Sequence, residues 1–310
     1  MTKAERAFWT RVTRKAASFT PELRGKIIQA FRLIADSLSQ TQMQKAIESG
    51  YVDRIFDEAL TEARLDRAFQ PVRDELRASI ESGAKYAGRD LPKAGNIDFA
   101  FNSLSPRVIE AVRQLDTRVI RTLQESVRET VRAHVENGLR DGVNPREIAR
   151  GIREVIGLAP NQERAVENFR KALEKGGRSA LTRALRDKRF DKTVIKGDLT
   201  TEQVDKMTAA YRRKMVAFNA ETNARTAALD SMKLGQRLSY QQAVEQGILD
   251  GNRLEKTWVG VMDARERPSH VAMEGDTVPF NQPFSNGQMI PGETEFNCRC
   301  LARYRQTRAA

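Results

Sequence analysis

Residues 105–135, SPRVIEAVRQLDTRVIRTLQESVRETVRAHV, decide the fold class. Val112, Leu115, Val119, Leu123, Val127, Val131 and Val135 recur at steps of three or four, the spacing that lines one face of an α-helix. Ser105 can accept from the first unpaired backbone N–H groups, and Pro106 fits the first helical position, where no N–H is needed. The stripe drifts instead of alternating strictly between three and four, so it reads as a face packed against neighbouring helices and not as a coiled-coil seam.

Similar punctuation recurs on both sides. Thr20-Pro21 opens ELRGKIIQAFRLIADSLSQTQMQKAIES, which is expected to run as a helix to a stop at Gly50. VDRIFDEALTEARLDRAFQ follows, with a kink or restart at Pro71. From Tyr86 to Asn102 the helical period fails, marking a boundary. Asn144-Pro145 with Glu147 starts a short amphipathic helix carrying Ile148, Ile152 and Ile156. At Thr200 the side chain can cap while Gln203 reaches back, opening a helix expected to reach Gln246. Only after Gly251 does the character change: EKTWVGVM is strand-like, and Gly, Pro and Asn then recur every few residues. The chain therefore reads as mainly α with a small α+β C-terminal domain, long helices giving way to short strands and turns. Its segments are an N-terminal helical region (1–90), a helical core (105–250) and a small mixed unit (251–310). That last unit has little apolar area of its own, so it must lean on the long helix before it or be fastened in another way.

A hydrophobic share of 40% with only 6% aromatic residues suits a helix-rich globular protein. The net charge of +12 favours an acidic partner. No apolar run fits a signal peptide or a membrane span, so a soluble protein made in a reducing cytoplasm is expected. Two cysteines are too few for a disulfide framework.

Those two cysteines, Cys298 and Cys300, stand in NCRC near the C-terminus, in the same mixed unit as His270, one of only two histidines. A disulfide across one residue would be strained. A Zn²⁺ site is chemically reasonable, with His270, Cys298 and Cys300 as ligands and Asp263 as a fourth. The remaining reading is a metal-free lock, with buried thiols and Asp263, His270 and nearby arginines joined by hydrogen bonds.

WVGVMDARERPSHVAMEG, then Phe280, Phe284 and Pro291-Gly292, and finally NCRC, resemble the C-terminal domain of phage head morphogenesis proteins, the Mu F-like minor head proteins. Trp258, Asp263, Arg265, His270, Gly275 and Cys298-Arg299-Cys300 carry the likeness, and NGLRDGVNPREIARGI and AETNARTAALDSMKLGQ precede them in the expected order. The match extends over roughly residues 105–305. Family members commonly have Arg-Thr-Glu near the start of the last long helix; here Asn219-Ala220-Glu221 stands there, so only Glu221 transfers. The resemblance implies a portal-associated minor virion protein, partnered by the portal protein and other head proteins. It would be made in the host cytoplasm, built into the head interior near the portal vertex, and act in assembly and in DNA packaging or delivery.

Charge supports contact with viral DNA. Residues 164–196 hold eleven Lys or Arg against four acids, a net of +7 over 33 residues. Arg183, Arg186, Lys188, Arg189 and Lys192 are expected around a short helix after Gly176-Gly177. Phe190 is the one aromatic residue among them and no regular interleaving suggests base stacking, so they would meet phosphates irrespective of sequence. A rival reading is a metal-dependent hydrolase or nuclease using Asp263, His270 and Glu274, the last two spaced to share a helical face. No H-E-x-x-H, P-loop or G-x-S-x-G accompanies them, and arginines beside Asp263 suit charge pairing better than acid–base work. A free nucleic-acid-binding regulator has only the charge in its favour.

Overall fold

Local signals fix most helix boundaries in the computed structural model, which describes residues 2–88, 91 and 99–307. Helix α1 (Lys3–Ala17) opens on a capping box between Thr2 and Glu5. The segment expected as one helix up to Gly50 is instead two, α2 (Thr20–Ser37) and α3 (Gln40–Glu48). No Gly or Pro announces the break. It forms because Ser39 turns to extended backbone and its hydroxyl accepts the Gln42 N–H, while the Leu38 carbonyl, freed from the helix, accepts from the Arg153 guanidinium.

A π-helical turn (Ile55–Ala59) precedes α4 (Glu62–Gly88), which continues through Pro71. Most of the expected boundary between Tyr86 and Asn102 lies outside the described residues. Pro106 then opens α5 (Pro106–Arg140), with Ser105 Oγ accepting from the Val108 N–H. Along it Leu115, Leu123, Val127, Val131 and Val135 are buried, and Val112 and Val119 partly so. Asn144 caps α6 (Pro145–Val155), and Pro160 starts α7 (Pro160–Glu174). Two 3₁₀ turns (Arg178–Thr182 and Lys188–Phe190) lead to α8 (Asp191–Lys196). The reciprocal Thr200 and Gln203 bonds open α9 (Thr201–Glu245), 45 residues long.

Contacts group the chain into two compact units, neither continuous in sequence. One comprises Arg24–Val72 and Ile120–Glu221. Phe31 meets Phe69 edge-on at 6.1 Å in this unit, and Phe169 stacks on Tyr211 at 4.2 Å. His134 is held here on both ring nitrogens, 2.9 Å from Glu163 Oε1 and 3.2 Å from the Ile148 carbonyl.

The other unit comprises Met1–Leu23, Arg73–Val119 and Thr222–Ala310. It carries an antiparallel sheet of β1 (Leu254–Val259), β2 (Thr277–Pro279) and β3 (Leu301–Gln306), in the order β2-β1-β3. Lys256 is opposite Val278 on one side and Tyr304 on the other, and Val259 opposite Leu301. A single helical turn, α10 (Pro268–Val271), lies between β1 and β2. As its composition requires, the sheet leans on α9: Trp258, Phe280, Phe284, Cys298, Cys300 and Tyr304 share one apolar cluster with Tyr240 and Ala243. Helix α9 in turn lies close against α4, where a Cβ on Gly235 would stand 2.5 Å from the Ile80 carbonyl oxygen and Ser239 Oγ donates to the Ala84 carbonyl at 2.6 Å.

Candidate functional site

In extended chain, side chains two residues apart point to the same face, so a C-x-C pair directs both sulfurs one way and the intervening side chain the other. Asn297, in the left-handed region at φ 62°, turns the chain into this stretch just before β3 begins. Both thiols are free and buried. They face His270, held on α10 beneath Trp258, whose indole meets the imidazole edge-on at 5.6 Å. Nδ1 of His270 is 3.7 Å from Cys298 Sγ and 3.4 Å from Cys300 Sγ. On the other side of the ring, Nε2 is 2.7 Å from Glu295 Oε2, which also pairs with Arg267 at 3.2 Å. Three buried side chains thus bring their ligand atoms within 4.8 Å of one another, the only such group among the described residues.

Asp263 stands apart from that group. Both its oxygens accept from Arg299, at 2.7 and 2.6 Å, and Oδ1 also accepts the Arg265 N–H. The Arg299 hydrogen bonds hold this carboxyl well below the usual carboxylate range. A fourth-ligand role for Asp263 is therefore corrected: its oxygens are committed to the guanidinium of Arg299, the residue between the two cysteines in sequence, whose side chain points away from the sulfurs. The carboxylate that reaches one of the sulfurs is Glu266, with Oε1 accepting from Cys300 Sγ at 2.9 Å and Oε2 accepting the Met262 N–H.

Glu274 does not share a helix with His270, because α10 ends at Val271. Its Oε2 accepts the Gly260 N–H at 2.5 Å. The arrangement expected of an Asp263, His270 and Glu274 catalytic set is thus not the one that forms.

Sequence reading missed the group that secures the loop before NCRC. Lys233 on α9 is 2% exposed, and its ammonium donates to Asp230 Oδ1 (3.3 Å), the Pro291 carbonyl (3.0 Å) and the Cys298 carbonyl (3.1 Å). Three donors meet three acceptors, so the buried charge is fully used. Gly292, at φ +81°, lies so close that a Cβ there would be 2.5 Å from Cys298 Cβ. From α1, Trp9 Nε1 donates to the Arg299 carbonyl at 2.9 Å. Of the two thiols, Cys298 is the one held down, to about 6, by the hydrogen bond from Cys300 and by the Lys233 charge. As donor to Cys298 and in its own burial, Cys300 is pushed up.

A family model described as Phage Mu protein F like protein matches residues 129–303, more than half of the chain. The chain belongs to this family. No curated protein and no solved structure matches it significantly. The Mu F-like chain is accordingly a phage head morphogenesis protein and a virion protein, with other head proteins as partners. No helix among its described residues is long and apolar enough to cross a membrane.

The remaining motif residues have structural explanations. Trp258 is fully buried, its backbone paired with Asp276 and Gly275, and Gly275 takes φ +81° where the chain turns into β2. Arg265 is largely exposed, 3.6 Å from Asp263. Glu221, in the other unit, pairs with Arg24 at 3.6 Å.

In the basic segment of the Mu F-like chain, residues 183–187 are not helical. Arg186 is half-buried and bidentate on Asp191, at 2.9 and 3.0 Å, so this cation supports the loop. Arg183, Lys188, Arg189 and Lys192 are exposed, Arg189 with Asp187 beside it at 2.7 Å.

Proposed function

We propose that this Mu F-like protein is a minor component of the phage head, situated inside it near the portal vertex, where it contacts the portal protein and packaged DNA. The observation that carries the DNA contact is the run of exposed cations Arg183, Lys188, Arg189 and Lys192 in the most basic stretch of a chain with net charge +12. Cations spread over a loop, a 3₁₀ turn and the first turn of α8, with Phe190 the one aromatic side chain among them, suit phosphates and not base edges. Binding would be independent of sequence and sensitive to salt, as an internal head protein lying against packed DNA requires.

The test is the salt dependence of binding to two unrelated duplexes. R183A/K188A/K192A should weaken both equally and flatten the slope of log K against log salt by about 2 to 3, one phosphate contact per cation. An unchanged slope would remove this segment from the DNA-binding surface. Mass spectrometry of purified virions should find the protein at low copy, and portal-focused reconstruction of the head should trace it at the vertex. Its absence from virions would overturn the head assignment.

A further inference from the structure

We propose that His270, Cys298, Cys300 and Glu266 form a Zn²⁺ site. It depends on neither the DNA contact nor the portal position.

Geometry carries the first three ligands. Zinc bonds of about 2.3 Å to sulfur and 2.0–2.1 Å to nitrogen, at tetrahedral angles, separate the two ligand atoms by roughly 3.5 Å. The Nδ1 to sulfur distances here are 3.7 and 3.4 Å. The outer partner is also in place. A zinc-bound imidazole donates its other N–H to a carboxylate, which fixes the tautomer and turns a lone pair to the metal. Glu295, 2.7 Å from Nε2, does this for His270 and leaves Nδ1 facing the two sulfurs. Cys298 is positioned by Lys233 through its carbonyl, and Gly292 leaves it room.

Glu266 supplies the fourth ligand by a side-chain movement, since it touches Cys300 alone and stands outside the group of three whose ligand atoms lie within 4.8 Å of one another. Its Oε1 hydrogen bonds to the Cys300 thiol at 2.9 Å, and Gly260 leaves it space, since a Cβ there would be 2.8 Å from that oxygen. Both thiols lose their protons to solvent as zinc binds, and the sulfur to oxygen contact opens by about half an ångström as a bond between them gives way to two bonds to the metal. Asp263 does not compete, because Arg299 holds both its oxygens. A cavity of about 340 Å³, lined in part by Glu266, His270 and Cys298, borders the proposed site.

The experiment is metal analysis and cobalt substitution of the full-length chain. Purified without chelator from zinc-supplemented cells, it should hold about one zinc per chain. Cobalt should give visible tetrahedral bands with thiolate charge transfer in the near ultraviolet. C300S and H270A should lose the metal. E266Q and D263N, both conservative, separate the two carboxylates. E266Q should weaken zinc at least about tenfold, the scale on which even an outer carboxylate acts, while D263N leaves affinity within about threefold. Failure of the unmodified chain to take up zinc or cobalt would overturn the site, as would zinc retained at full stoichiometry by C300S. Loss of metal in D263N but not in E266Q would overturn the role of Glu266.

Discussion

Glu295 Oε2 lies 2.7 Å from Nε2 of His270, and this contact decides what the opposite ring nitrogen can do. An ionised carboxylate only accepts, so Nε2 carries the proton and Nδ1 presents its lone pair to Cys298 and Cys300. Long-range proton–nitrogen NMR on the metal-free protein should therefore report His270 as the Nε2–H tautomer. A proton on Nδ1 instead would contradict the arrangement.

Lys233 ties α9 to the loop before NCRC, so K233M should cost about 3 kcal/mol or more, the scale for breaking a buried charge pair by removing one partner. Asp230 would keep Arg118, 3.1 Å away, but the Pro291 and Cys298 carbonyls would lose their donor. Urea denaturation should show the lower midpoint, and limited proteolysis should cut within residues 285–298. Unchanged protection there would mean that the loop is held by other contacts.

Lys256 is buried on the central strand, donating to the Met289 carbonyl at 2.8 Å and lying over the Phe284 ring. Desolvation, then the Arg237 charge, lowers its pKa from 10.5 to about 8. Below pH 8 both folded and unfolded chains are protonated at this lysine, and the folded state bears the full cost of the buried charge. Between pH 8 and 10.5 the unfolded chain binds more protons, so stability should rise with pH, by up to about 3 kcal/mol at 1.36 kcal/mol per unit. K256M should abolish that rise, as judged by urea midpoints at pH 7, 8, 9 and 10.

At Gly235, α9 and α4 meet backbone to backbone. A methyl there would press on the Ile80 carbonyl and, at 2.7 Å, on the Ala84 nitrogen, neither of which is the end of a flexible side chain. G235A should destabilise by about 1–3 kcal/mol despite the higher helix propensity of alanine. A stabilised variant would show that the helices can separate at little cost.

What the sequence determined by itself is whatever depends on neighbours within about four residues. Ser105-Pro106, Asn144-Pro145 and the Thr200 and Gln203 pair start helices where expected, and the valine stripe of α5 faces inward, because capping and helical periodicity are local properties of the chain. The C-x-C spacing likewise places both sulfurs on one face. Tertiary structure alone decided the partners. Trp9 reaches Arg299, Lys233 reaches Pro291 and Cys298, and Glu295 reaches His270 across 25 to 290 residues, separations at which sequence carries no geometric information. It also settled which carboxylate goes where: the sequence pointed to Asp263, but Arg299 points away from the sulfurs and takes Asp263, leaving Glu266 beside Cys300. The break at Leu38-Ser39 follows the same logic, since the acceptor exposed there is met by Arg153, 115 residues away. A charged or polar group will pair with any suitable partner that packing brings near, so its role is fixed only when the chain has folded.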